Sequence, residues 1–187
     1  NNNVKFEYWG STDKFSKNNT LANRLINVDF NKAEKSNIIS TQFKLDRCLI
    51  PCDGFYFWKN FSKKEKTPYY FQYTKEKLIY CVGIRETFQD FSGNSFKYFY
   101  FLTDQSTEKW KKFTPKIPIL FDIRYLDIWF SKTTSINKIS SFINPIKFDD
   151  FNFYTVSPYF ENNNRDDISL INPSNNLNQY GNYSLFD

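Results

Sequence analysis

"RCLIPCDGFYFWKN", residues 47–60, joins two strand-like runs through a corner at Asp53-Gly54. Aromatic and aliphatic residues dominate on both sides of the corner, and Asp-Gly between two such runs is hairpin chemistry. From Phe55 to Trp58 the side chains alternate, so Phe55 and Phe57 share one face of a strand while Tyr56 and Trp58 share the other. Core packing accounts for both pairs, and base stacking is the functional alternative. Outward from this corner, strands are expected at 47–51, 55–59, 68–73, 77–84, 97–103, 117–121 and 152–157, separated by short polar turns such as Ser92-Gly93-Asn94. Short connections favour antiparallel neighbours over βαβ crossovers. Helices are expected over 104–113 with Asp104 as N-cap, over 122–131 with Asp122 as N-cap, and over 135–143. The reading is an α+β fold: a curved, mainly antiparallel sheet or open barrel with a few packed helices. It occupies a single domain over 1–173, followed by a polar tail at 174–187, extended or disordered.

Composition narrows the classes. Phe (22) and Tyr (13) replace the usual small aliphatics, so the core is expected to be built from large flat rings. The excess of Phe, Lys, Asn, Ile and Tyr follows AT-rich codons, which discounts part of the Lys count and the Asn runs. The net charge is +5, but residues 149–187 carry −5 and residues 1–148 carry +10. A basic body suits a polyanionic partner, and a lysine-rich solvated surface explains it equally well. No apolar run approaches the roughly 18 residues a spanning helix needs. Cys48, Cys52 and Cys81 have no CxxC spacing, and with no histidine in the chain neither a disulfide framework nor a zinc site is expected. A reducing intracellular compartment is the expectation. The absence of any Met, position 1 included, reads as a processed, truncated or partial chain, compatible with a mitochondrion or other organelle after presequence removal.

The ordered landmarks resemble the SRAP family, the SOS-response-associated peptidase or abasic-site-sensing domain. Trp9-Gly10 and Ile26-Asn27 are similar to that family's Trp-Gly and to its Ile-Asn-Ala-Arg. Residues 47–59 are similar to its Arg-Cys-Leu-(Val/Ile)-Pro-Ala-Asp-Gly-Phe-Tyr-Glu-Trp-Lys. "TPYYF" (67–71), "VGIRE" (82–86), "FLTDQS" (101–106), "IPIL" (117–120), "TVSP" (155–158) and "LINP" (170–173) follow in family order. The resemblance implies a mechanism. An N-terminal Cys in Cys-Gly-Arg condenses through its amine and thiol with the aldehyde of an abasic site in single-stranded DNA. An Asn, a Glu and a His orient the sugar and move protons.

Laid on that pattern, the sequence keeps Asn27 alone among the helpers. The Glu position is Phe57, and counting back from Ile117-Pro118 puts Thr114 at the His position. Asp29 stands where the family places a phosphate-binding Arg, whereas Lys116 keeps the positive charge at the other such site without the bidentate fork. The Cys-Gly-Arg segment is absent. Phe15 falls near an aromatic that wedges against unstacked bases. Lysines 59, 63, 64 and 66 form one basic cluster, and Lys109, Lys111, Lys112 and Lys116 form another. Either could track a phosphate backbone or serve as soluble surface. Cys48 and Cys52, lacking a nearby base, read as small buried hydrophobes rather than relocated nucleophiles.

The resulting expectation is a catalytically inactive SRAP-like domain without metal or cofactor. It is expected to serve as a binding or structural module in a larger assembly, such as an organellar ribonucleoprotein, with protein partners and single-stranded DNA or RNA. Asn27, Lys116, Phe15 and Lys112 are its candidate nucleic-acid contacts. The competing reading is an abasic-site sensor that crosslinks DNA through a cysteine supplied upstream. Self-cleaving peptidase activity ranks last, because no Cys/His or Ser/His pair exists.

Overall fold

The computed structural model describes residues 4–10, 26–33, 44, 46–61, 66–75, 78–89, 92–161 and 164–174. Phe15, Lys63, Lys64 and the tail beyond Ser174 lie outside the described residues. Strands and helices follow in the order β1 Tyr8–Trp9, β2 Asn27–Asp29, α1 Phe30–Ala33, β3 Arg47–Cys52, β4 Gly54–Asn60, β5 Lys66–Tyr73, β6 Ile79–Gln89, β7 Ser95–Gln105, β8 Lys116–Phe121, α2 Leu126–Phe130, α3 Ile136–Ser140, β9 Ile143–Pro145 and β10 Phe151–Thr155. They form two open sheets, of seven and three strands, in place of one closed barrel. The chain divides into two compact units, each made of discontinuous stretches: 1–51, 80–105 and 117–146 in the first, and 52–79, 106–116 and 147–187 in the second.

The first unit is organised on β7, which pairs antiparallel with β6 from Ser95 to Phe101 and parallel with both β1 and β2 on its other edge. Tyr8 and Trp9 sit against Tyr98 and Phe99, and Asn27–Asp29 against Phe101–Thr103, so β1 and β2 lie end to end as one interrupted edge strand. Gly10 and Ile26 meet at the join. Gly10 takes φ +71°, donates its N–H to the Phe99 carbonyl, and leaves no room for a Cβ, which would come 2.7 Å from Ile26 Cγ2. The Trp9 indole N–H closes the join on the Ile26 carbonyl at 2.9 Å. Val28, Val82, Ile84, Leu102, Ile119, Trp129 and Ile139 fill the core beneath. Arg47 is buried there as a cation held by carbonyls, donating to Trp129 (2.6 Å), Ser131 (2.5 Å) and Lys44 (3.2 Å). Burial holds its guanidinium below the usual arginine pKa.

The second unit is the antiparallel sheet β10-β5-β4. Phe55 faces Phe71 and Phe57 faces Tyr69 across β4–β5, while Phe153 faces Phe71 across β10–β5. One face stacks on Trp110, Phe113 and Phe148, with Phe71 and Trp110 fully buried, so the expected ring-built core is present here.

Every strand expected from the sequence forms, with boundaries moved by at most five residues. The helix expected over 104–113 does not. Phe99–Leu102 are aromatic and aliphatic strand formers, and Phe99–Thr103 pair with β6 and β2, so β7 runs on through Asp104, and only a 3₁₀ turn at Trp110–Lys112 follows. Asp104 caps no helix; its carboxylate accepts from Asn31 Nδ2 and the Gln105 N–H. Asp122 does cap, accepting from the Arg124 N–H, and Ser135 caps α3. That last helix ends at Ser140 because Ile143 is claimed by Phe121 in the ladder of β8 and β9.

Candidate functional site

Phe57 projects from β4 into the aromatic face of the second unit. Its ring lies 6.1 Å from Phe55, 5.6 Å edge-on to Phe71 and 5.8 Å edge-on to Trp110. Trp110 reaches this place because the 106–116 loop is cinched by the Ser106 N–H on the Pro115 carbonyl and by the Phe113 and Thr114 N–H groups on Trp110 O. The packing of Trp110 on Phe57 was not legible in the sequence, where residues 104–113 read as a helix. Thr114 lies in the same loop. Its hydroxyl donates to the Lys116 carbonyl at 2.8 Å and faces the Lys116 N–H at 3.4 Å, a local turn that engages both its donor and its acceptor.

In the second basic cluster, Lys109 pairs with Asp149 (2.5 Å) and Lys111 with Glu108 (2.5 Å); Lys112 is exposed at the end of the 3₁₀ turn, and Lys116 is half-buried at the start of β8. Of the first cluster, Lys59 lies over Phe61 and Phe113 (4.7 and 5.8 Å), and Lys66 lies over Trp58 (3.9 Å). In both, the ammonium itself lies over a ring face, a cation–π contact.

Asn27 and Asp29 belong to the first unit. Asn27 opens β2 and is exposed. Asp29 is buried; one carboxylate oxygen accepts from the Asn31 N–H at the start of α1 and the other from Gln105 Nε2. That carboxylate is occupied as a cap, the opposite of a phosphate clamp. Cys48 lies against Gly83, and burial pushes its thiol up to about 12, far from a thiolate at neutral pH. No cysteine of the three forms a disulfide. Among the described residues there is no group of three or more His, Cys, Asp or Glu placed to hold a metal ion, and no helix long and apolar enough to cross a membrane.

This sheet-rich architecture has solved counterparts. A crystal structure of a protein from Bacteroides thetaiotaomicron superposes with TM-score 0.76 at 17% identity, covering 89% of this chain and 75% of that one. One from Bordetella bronchiseptica superposes with TM-score 0.64 at 14% identity, covering 80% and 75%. A model of the family SOS response associated peptidase (SRAP) matches residues 1–163, and the chain belongs to that family. Its relatives include the abasic site processing protein YoaM of Bacillus subtilis, 22% identical over 170 residues, which are 90% of this chain and 75% of that protein. They also include the abasic site processing protein YoqW of Bacillus phage SPbeta, 24% identical over 170 residues and 71% of its length.

Proposed function

We propose that this chain is a pseudoenzyme: a SRAP-family domain that keeps the scaffold as a binding or structural module and no longer carries out abasic-site chemistry. The observation that supports this most is Phe57, a ring seated among Phe55, Phe71 and Trp110 where proton transfer requires a carboxyl group. Thr114, at the position resembling the family's His, has its hydroxyl engaged by the Lys116 backbone. The relatives are named abasic site processing proteins, which supports a nucleic-acid ligand. We assign residual nucleic-acid contact to Asn27, Lys112 and Lys116, with Phe15, and place the chain in a larger assembly with protein partners, an organellar ribonucleoprotein being the kind that fits its basic body.

Incubation with abasic single-stranded DNA, followed by denaturing electrophoresis, is expected to show no covalent shift. Intact single-stranded DNA and RNA are expected to bind and to weaken between low and physiological salt. The relatives' activity favours one other reading, a crosslinking sensor with a cysteine supplied upstream. A covalent shift by the complete gene product would establish that reading and end this one.

A further inference from the structure

The opposite face of the three-stranded sheet carries a second constellation, independent of the first. Tyr56 and Trp58 of β4 and Lys66 of β5 form a cradle, and the chain segment after β10 fills it. Phe160 stacks on Tyr56 with ring centroids 4.3 Å apart and planes 7° from parallel, and its ring also lies 5.6 Å from Trp58. The next residue, Glu161, accepts the Trp58 indole N–H at 2.8 Å and lies 3.9 Å from Lys66 Nζ, which itself sits 3.9 Å over the Trp58 ring. An aromatic residue is thus read by a ring face, and the acid behind it by an indole N–H and an ammonium.

The segment delivering this dipeptide is lightly held. None of the described residues in 157–174 is buried, and Tyr159 is 64% exposed. Toward its ends, polar contacts tie it to the sheet: the Tyr154 hydroxyl on the Ile171 carbonyl, the Thr155 hydroxyl on the Ser174 carbonyl, the Ser174 N–H on the Thr155 carbonyl, and the Val156–Pro173 bridge. A segment with so little buried apolar surface opens at far lower free energy than the strands beneath it.

We propose that Tyr56, Trp58 and Lys66 form a peptide-docking site, that Phe160-Glu161 is its ligand in cis, and that the partner it fits is a peptide carrying an aromatic residue followed directly by an acid. Charge complementarity selects that partner: Lys66 and the Trp58 N–H converge on one carboxylate beside an apolar stacking surface.

The test uses the full chain and a fluorescently labelled synthetic peptide of residues 156–174, followed by anisotropy. The double variant Phe160→Ala, Glu161→Gln, which vacates the cradle, is expected to bind the peptide at least tenfold more tightly than the unmodified chain. A peptide with the same two changes is expected not to bind, and Lys66→Gln in the vacated chain is expected to weaken binding about threefold. Equal affinity in vacated and unmodified chains, or displacement of the peptide by a dinucleotide at equal concentration, overturns the proposal. Hydrogen exchange on the unmodified chain supplies a readout that does not depend on the variant folding. The Leu170 and Asn172 amides are expected to exchange at least a hundredfold faster than those of Tyr70 and Phe71. Equal protection would show that the segment does not detach, and the site would then be closed to any partner.

Discussion

Phe57 shows how one substitution changes what a strand can do. A carboxylate placed there would be desolvated by Phe71 and Trp110, which raises its pKa and disfavours its charged form. The variant Phe57→Glu is therefore expected to lose about 2 kcal/mol relative to the parent at neutral pH and to gain no crosslinking. The sign follows from the raised folded pKa: the deficit is smallest below the unfolded value near ~4.3 and grows as pH rises through the folded one. Urea melts of parent and variant at pH 4 and pH 7 read this directly. Cys48 obeys the same logic. With its folded pKa near 12, it stabilises the fold fully below the unfolded thiol value of ~8.5 and loses that contribution as pH climbs toward the folded one. Iodoacetamide at pH 8 is expected to leave Cys48 unmodified in the native chain and to alkylate it in urea, with mass spectrometry of the peptides as the measurement. The sequence reads Cys48 as a small buried hydrophobe because no base stands near it, and Phe57 as a packing ring with base stacking as the alternative. Thr114 was legible only as a missing histidine. That its hydroxyl is tied into a turn with Lys116 depends on a loop geometry that composition does not encode.

At the scale of elements, the corner at Asp53-Gly54 is where sequence and structure agree most closely. A Cβ on Gly54 would press on the Phe71 carbonyl oxygen and come 2.7 Å from the Tyr70 hydroxyl, so β4 and β5 close only around a glycine. Gly54→Ala is expected to cost about 2 kcal/mol, read as a lower urea midpoint with an unchanged m-value. In the first unit, Trp9→Phe keeps the ring beside Phe101 but removes the N–H on the Ile26 carbonyl that splices β1 to β2. A loss of about 1 kcal/mol is expected in the same assay. Strands were legible because period-two patterning and aromatic runs are local signals. The failed helix at 104–113 was a competition between a local cue and a distant one. Asp104 followed by a charged run suggests a cap, yet β6 and β2 offer ladder partners to the preceding seven residues, and their pairing carries β7 through the cap position. The parallel edge formed by β1 and β2 was invisible for a related reason: each is only two or three residues long and gains its identity from β7 alone.

At the scale of the molecule, charge is where the sequence misleads most. A +10 stretch over residues 1–148 suggests a broad phosphate-tracking surface. The fold sets acids against many of those cations: Lys66 near Glu161, Lys75 on Asp150, Arg85 between Glu7 and Asp46, Lys109 on Asp149, Lys111 on Glu108 and Arg124 on Asp122. Four of these acids, Asp149, Asp150, Glu161 and Glu108, come from the second unit, and three of them belong to the acidic C-terminal stretch. Exposed pairs of this kind add little to stability, but each must be broken before its lysine can replace a phosphate counterion. Binding to single-stranded nucleic acid is therefore expected to release fewer counterions than the bare lysine count suggests, and a plot of log affinity against log salt for an intact oligonucleotide should be correspondingly shallower. Asp149→Asn, which frees Lys109, should then steepen the slope by roughly 0.7, the increment for one more phosphate contact on a single strand. An unchanged slope in that variant would show that Lys109 does not face the nucleic acid at all.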